Sequence, residues 1–296
     1  MSNRLLLVDG HAYAYRAFHA IRSLNSPDGR PTNAIFGFVK MLQKMVGSLK
    51  PTHVLVLWDA GLAIERSTAL PDYKANRPPT PEPLEEQFPQ IETWLDAVGY
   101  AQFQEDGTEA DDWIGTYARR AEMAGWNVVI ASSDKDFLQL VNDRIGILNP
   151  NDKSEKIWSA ADVEAKTGVR PDQVADWLSL IGDAVDNIPG VSGVGPKTAA
   201  ELLRKYGSID GIYARLSEIK SESQRTALSA ATDAVRRNQL MIRLHEAKVG
   251  GPELPTLVPG QPKLASLREL YARWGFRSLL AEVGGAGSEP TQGSLF

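Results

Sequence analysis

Five short stretches of this chain carry acids where an apolar run gives out: LLLVDG (Asp9), VLVLWD (Asp59), EADD (Glu109, Asp111, Asp112), SDKD (Asp134, Asp136) and GDAVD (Asp183, Asp186). A buried strand that ends in an acid delivers it to the edge of a sheet, where a fold can gather several into one cleft. Like charges gathered there repel strongly, and divalent cations relieve the repulsion. The donors are hard oxygens, with no Cys and only four His in the chain, a set that selects Mg²⁺ or Mn²⁺ over zinc. Two such ions about 4 Å apart activate a water, neutralise a phosphate and stabilise the departing oxygen of an in-line displacement. Any one of these acids alone reads better as a helix cap or solvated turn; their recurrence at strand ends argues for a site. In EADD, Glu109 and Asp112 fall on one helical face, Asp111 lies near the helix N-terminus, and Thr108 is the expected cap. In SDKD, a turn after a buried strand can aim both Asp134 and Asp136 inward.

Basic and glycine-rich segments accompany the acids. In Tyr73-Lys74-Ala75-Asn76-Arg77-Pro78-Pro79, Lys74 and Arg77 share a face if the segment is helical, and a cation there steadies a phosphate. A solvated basic turn is the plainer reading of that stretch alone. Arg16, with Tyr15 beside it, could bind phosphate and stack on a base, although an aromatic on a core-facing helix is the commoner case. In residues 187 to 198, NIPGVSGVGPKT, Gly190, Gly193 and Gly195 let the backbone turn and approach a ligand, and Lys197 and Thr198 open a helix whose free N–H groups suit a phosphate. This reads as a helix-hairpin-helix element that grips duplex backbone without reading sequence. Histidines 11, 19, 53 and 245 read as surface or core residues.

The elements that must position these groups follow from periodicity. Residues 4 to 8 and 53 to 58 are short, β-rich and almost continuously apolar, as buried parallel strands are. Apolar residues at helical spacing fill 34 to 49. The pattern continues with a helix over 83 to 98, a strand at 100 to 104, a helix over 108 to 124, a strand at 127 to 131, a helix over 134 to 141 and a strand at 144 to 148. Such alternation predicts a doubly wound, mostly parallel α/β sheet with ligands at the carboxyl ends of its strands. Beyond Thr167 strands stop and helices dominate. The expected domains are an α/β unit over 1 to 168 with a helical arch near 60 to 90, a helical subdomain over 169 to 283, and a Gly/Ser/Pro-rich flexible tail over 284 to 296.

At 296 residues, 43% hydrophobic and 23% charged, the composition is that of an ordinary globular protein. The N-terminal apolar run is too short for a signal peptide and no segment approaches a membrane span, so a cytoplasmic, nucleoid-associated monomer is expected. The absence of cysteine excludes disulfides, thiolate metal sites and cysteine nucleophiles. The net charge of −5 is local: without the nine clustered carboxylates it becomes +4, and residues 187 to 244 hold nine Lys/Arg against five Asp/Glu. The surface left for a partner is basic, which suits DNA.

Taken in order, LLLVDGHAYAYRAF, LWDA, YKANRPP, EADD, SDKDFLQL and GDAVDNIPGVSGVGPKTA resemble the 5′ nuclease family over roughly residues 4 to 280. That family, with its PIN-like fold, includes flap endonucleases, phage 5′ exonucleases and the N-terminal nuclease domain of bacterial DNA polymerase I; this chain resembles a free-standing version of the last. The resemblance implies a first metal site from Asp9, Asp59, Glu109 and Asp111, with Asp112 helping through water. It implies a second from Asp134, Asp136, Asp183 and Asp186, with Asp111 near both. Lys74 and Arg77 look like arch cations acting on the scissile phosphate, Arg16 like a phosphate steerer, and Tyr15 like an aromatic for the terminal base. Arg66 and Tyr73 would join them in binding DNA, and K⁺ near Val191 and Val194 is implied at the hairpin. The loop after Asp59 lacks the lysines and aromatics of many relatives, while Trp58 and Ser133 replace the usual Phe and Gly.

The C-terminal QGSLF is similar to a bacterial sliding-clamp peptide, with Gln292 fixing register and Leu295 and Phe296 filling an apolar pocket. The expected activity is a metal-dependent 5′ to 3′ exonuclease and 5′ flap endonuclease that removes RNA primers and flaps. The rival expectations are a weakly catalytic or non-catalytic DNA-binding protein tethered to the clamp, and a related α/β metal-dependent ribonuclease that would not need the hairpin.

Overall fold

The computed structural model describes residues 3–284, so Gln292, Leu295 and Phe296 lie outside the described residues. The chain starts with strand β1 (Arg4–Asp9), helix α1 (Gly10–Ala20), α2 (Asn33–Leu49) and β2 (His53–Leu57). Successive β1 side chains face opposite ways: Leu5 and Leu7 join one apolar core, Leu6 and Val8 the other. After α3 (Ile64–Ala69) and α4 (Glu82–Glu85) come α5 (Phe88–Val98), β3 (Ala101–Phe103), α6 (Ala110–Met123), β4 (Asn127–Ala131) and β5 (Ile145–Leu148). The expected helix over 83 to 98 is broken at Gln87. Its side-chain amide instead reaches the start of α2, where Oε1 accepts from the amides of Ala34 and Ile35 at 2.8 and 3.1 Å. The expected helix over 134 to 141 is a short 3₁₀ turn, Asp136–Leu140.

The sheet runs in the order β3-β2-β1-β4-β5-β6, parallel except for the antiparallel edge strand β6 (Ile157–Trp158). The chain winds outward from β1 in both directions. The order therefore reverses at the carboxyl end of β1, where doubly wound sheets bind ligands. Asp9 stands at that end, with Asp59 just beyond β2 and Asp134 just beyond β4.

Beyond α7 (Ala160–Thr167) lies α8 (Val174–Ile181). Contrary to expectation, strands recur here as a two-residue antiparallel pair, β7 (Gly182–Asp183) with β8 (Ile188–Pro189). The pair needs glycine at both ends of its turn, because a Cβ at Gly190 would collide with the Ile181 carbonyl and one at Gly182 with the Gly190 amide. Next come α9 (Pro196–Tyr206), α10 (Ile209–Ala214), α11 (Glu222–Ala230) and α12 (Thr232–Ile242), which share the core of Leu5, Leu7 and α6. The final helices, α13 (Leu264–Trp274) and α14 (Arg277–Gly284), do not belong to that layer. Leu267, Tyr271 and Trp274 pack in the opposite core with Leu6, Phe38 and Trp94, and the Trp94 indole donates to the Tyr271 hydroxyl at 2.9 Å. The expected helical subdomain over 169 to 283 is thus two pieces on opposite faces of the sheet. Among the described residues no helix is long and apolar enough to cross a membrane.

Candidate active site

Asp9 terminates β1 and caps α1: its Oδ1 accepts from the Ala12 amide at 3.0 Å and its Oδ2 from the Ser132 hydroxyl at 2.9 Å. Ser132 links two acidic segments, since its oxygen also accepts from the Asp134 amide at 3.1 Å. Burial first, and then nearby Asp59, push the Asp9 carboxyl up to about 7. The Asp59 carboxylate does what was expected of Thr108, accepting from the Ala110 amide at the start of α6 at 2.8 Å. Thr108 instead donates to the Glu105 carbonyl, and Glu109 occupies the cap position. The Asp59 amide donates to His11 Nδ1 at 3.1 Å, which brings an otherwise bland histidine to the rim of the site.

The EADD acids gather around a cation that the sequence placed elsewhere. Arg66, on α3, is only 4% exposed. Its Nη1 lies 2.6 Å from Glu109 and 3.1 Å from Asp111, and its Nη2 lies 2.7 Å from Asp112. The expected DNA contact by Arg66 is therefore corrected: its guanidinium is enclosed by protein acids. Tyr73, expected to bind DNA, is likewise buried, with its hydroxyl donating to Glu109 at 3.0 Å. Asp112 is 1% exposed and also accepts from the His245 amide at 3.0 Å, so it lies beneath the cleft. Burial alone would raise Glu109, but Lys74 and Arg66 beside it hold it below the usual range. Asp111 is pushed up to about 8 by burial, with Arg66 opposing and Asp112 and Glu109 adding to the rise.

Around Asp134 and Asp136 the balance differs. The Asp136 amide donates to Asp134 Oδ1 at 2.9 Å, while Asp136 Oδ1 is buried without a hydrogen-bond partner. Burial, then Asp134 and Asp111, drive the Asp136 carboxyl well above its usual range, and burial raises Asp134 too. Asp183 pairs with Lys135 at 3.0 Å, a lysine that its place inside SDKD signals but to which no role was assigned. Asp186 pairs with Arg77.

Residues 72 to 77 form a turn rather than a helix, since Lys74 adopts a left-handed φ of 57°. Lys74 and Arg77 nonetheless both reach acids. The Lys74 ammonium sits 2.9 Å from Glu109, and its amide donates to the Asp186 carbonyl at 3.0 Å. Two asparagines tie the same segments: Asn187 Nδ2 donates to the Asp72 carbonyl and Asn76 Nδ2 to the Ala184 carbonyl, both at 2.8 Å. Sequence reasoning missed both, although Asn187 directly follows an assigned acid.

The all-oxygen donor set, the partnerless Asp136 oxygen and the upward shifts of Asp9, Asp111, Asp134 and Asp136 fit hard divalent cations. Among the described residues no three of these side chains close into a ready-made cage; Arg66, Lys74, Lys135 and Arg77 reach in among them.

Two family models match the chain in tandem, the 5′-3′ exonuclease N-terminal resolvase-like domain over residues 4–168 and the 5′-3′ exonuclease C-terminal SAM fold over residues 169–255. The chain belongs to the 5′-3′ exonuclease family. It is 35% identical over 292 residues to a 5′-3′ exonuclease of Aquifex aeolicus, with 99% of each chain covered. It is 37% identical over 285 residues to the thermostable DNA polymerase I of Thermus thermophilus, covering 95% of this chain and 33% of that protein. The chain thus spans about a third of the polymerases that it matches. In fold it is similar to the T5 D15 protein co-crystallised with metal ions (TM-score 0.69, 22% identity, 95% of this chain and 98% of that one). It is also similar to the catalytic core of Rad2 in complex with DNA substrate (TM-score 0.64, 16% identity, 95% and 92%). As a member of the exonuclease family the chain is a nuclease, and so a hydrolase.

The nuclease presents its remaining expected residues unevenly. Lys197 is exposed at the start of α9 and Thr198 half-buried beside it, with Gly193 at φ 75° and open space around Gly193 and Gly195. Gly190 serves internal packing against Gly182 and Ile181, not approach to a ligand. Tyr15 and Arg16 are half-buried on α1; the Tyr15 hydroxyl lies 2.6 Å from Thr80 Oγ1, and Arg16 donates to Asn151.

Proposed function

We propose that this family member is a divalent-metal-dependent 5′ to 3′ exonuclease and structure-specific 5′ flap endonuclease that acts on DNA and removes RNA primers and flaps in the cytoplasm. One observation carries the reading. Asp9, Asp134 and buried Asp136 crowd the sheet's switch point with raised carboxyls and no ion-pair partner among the described residues, while Lys74 sits against Glu109 of the same acid set. Asp9, Asp59, Glu109, Asp111, Asp134, Asp136, Asp183 and Asp186 would hold Mg²⁺ or Mn²⁺, and the bound ions would supply an activated water and charge neutralisation for in-line displacement.

The chain's own groups then divide the work. Lys74 turns its ammonium from Glu109 to the scissile phosphate, and Arg77, half-exposed, does so from Asp186. Arg16 and Tyr15 meet the phosphate and base at the 5′ terminus. Lys197, Thr198 and the free amides of α9 grip the duplex, where the turn from Val191 to Val194 would hold K⁺. No covalent enzyme intermediate is needed. The DNA substrate in the Rad2 complex supports a DNA partner for the same fold. A C-terminal QGSLF tether to a sliding clamp completes the reading.

The test is Mg²⁺-dependent cleavage of a 5′-flap substrate by the wild type and Asp134→Ala. We expect cleavage by the wild type and a loss of about 10²–10³-fold in the variant; flap binding with no cleavage by the wild type would leave only a DNA-binding role. Deleting residues 292 to 296 should abolish binding to the cognate clamp and spare cleavage of naked DNA, and undiminished clamp binding would refute the tether.

A further inference from the structure

We infer that Arg66 is a positioning residue that holds the EADD carboxylates in place for a cation, and that Asp112 anchors Arg66 and is not itself a ligand. This rests on the metal-dependent reading above. Arg66 is the one side chain that reaches Glu109, Asp111 and Asp112 together, at 2.6, 3.1 and 2.7 Å among the described residues. Its two terminal nitrogens serve different acids. Nη1 bridges Glu109 and Asp111 at the cleft, and Nη2 is taken by Asp112 at the rear. Asp112, 1% exposed, is fixed in turn by the His245 amide at 3.0 Å. A lysine offers one point charge and cannot span these positions as a planar fork does. Arg66 spans all three carboxylates while Lys74 reaches only Glu109, so Arg66 is the group that holds them in one arrangement. Partners that orient ligands from behind are worth about 10–100-fold in metal affinity.

An opposite outcome is physically reasonable, because a positive charge so close to ligands can also compete with a metal, and its removal would then tighten binding. The experiment is Mn²⁺ titration of the full chain, followed by electron paramagnetic resonance, for wild type, Arg66→Met, Arg66→Lys, Asp112→Asn and the Arg66→Met/Asp112→Asn double variant. Thermal midpoints in EDTA are measured alongside. We expect Arg66→Met to weaken Mn²⁺ binding about 10–100-fold and Arg66→Lys to recover only part of it. The double variant should bind no worse than Arg66→Met, since Asp112 acts through Arg66. Equal or tighter Mn²⁺ binding by Arg66→Met overturns the role of Arg66, and additive losses in the double variant overturn the role of Asp112. If Arg66→Met does not fold, Arg66→Lys decides: wild-type affinity there overturns the inference. Absence of Mn²⁺ binding by the wild type would instead remove the metal-dependent reading and this inference with it.

Discussion

Glu109, Asp111 and Asp112 share a buried guanidinium, whereas Asp136, a few positions along the same rim of the sheet, keeps a buried oxygen with no partner. Both groups are acids at strand or helix ends, drawn from similar sequence. The first is partly balanced from within the chain, by Arg66 and, at Glu109, by Lys74. The second is held together against its own repulsion, which suits groups meant for a ligand that arrives later. A cation partner supplied by the chain therefore separates the two groups better than acid density does.

The largest effect that would test this contrast comes from paired substitutions. Asp136→Asn should lower flap cleavage about 10²–10³-fold, yet raise the thermal midpoint in chelator, because it removes a buried carboxyl whose ionisation burial and the neighbouring acids oppose. Asp112→Asn should do the reverse for stability, lowering it by about 3 kcal/mol, because it breaks a buried ion pair. Shifts of the same sign in thermal melts of the two variants would erase the distinction.

The pH dependence in chelator comes next. Asp9 and Asp111 rise from an ordinary 3.8 to about 7 and about 8, so the folded protein binds these protons more tightly than the unfolded chain. Stability is then fullest below 3.8 as far as these two groups contribute, falls as pH rises from there to about 7 and about 8, and levels off above. Thermal melts across that range should show the decline in EDTA and a flatter profile in saturating Mn²⁺; identical profiles would break the link between the raised carboxyls and cation binding. The smallest effect concerns the bonds between the two segments that carry Lys74 and Asp186. Asn187→Gly tolerates the left-handed φ of 59° but loses the bond to Asp72, at about 1 kcal/mol. Hydrogen exchange at the Lys74 amide should quicken, and unchanged exchange would show that the backbone bond to Asp186 stands alone.

Much of this was legible in the sequence. Short, nearly continuous apolar runs announced the parallel strands, because residues such as Leu5 to Val8 are buried on both faces, and the acids at their ends marked the cleft. What was hidden depended on side-chain reach. Arg66 looks like any arch cation until the fold carries it to the acids at the start of α6, and Asp112 looks like a helper of the first metal site through water until His245, more than a hundred residues later, supplies an amide behind it. The lone Gln87 cap and the Gly182–Gly190 approach are equally nonlocal, and no spacing rule announces them. Arg77 and Lys74 were found for a partly mistaken reason: both reach acids, but through a left-handed turn in place of a helical face.

The bonds from Asn187 to Asp72 and from Lys74 to Asp186 join positions more than a hundred residues apart, and they bear on timing during synthesis. Chains emerge from the ribosome N-terminal first, and folding of early units begins before later ones exist. When residue 182 has been made, seven of the nine acids and the proposed phosphate-binding cations Arg16, Lys74 and Arg77 are already present. The loop that supplies Asp183 and Asp186 and fastens the Lys74 turn is still missing. On the proposed reading, the cleft lacks Asp183, Asp186 and the ties to the Lys74 turn until translation has passed that loop.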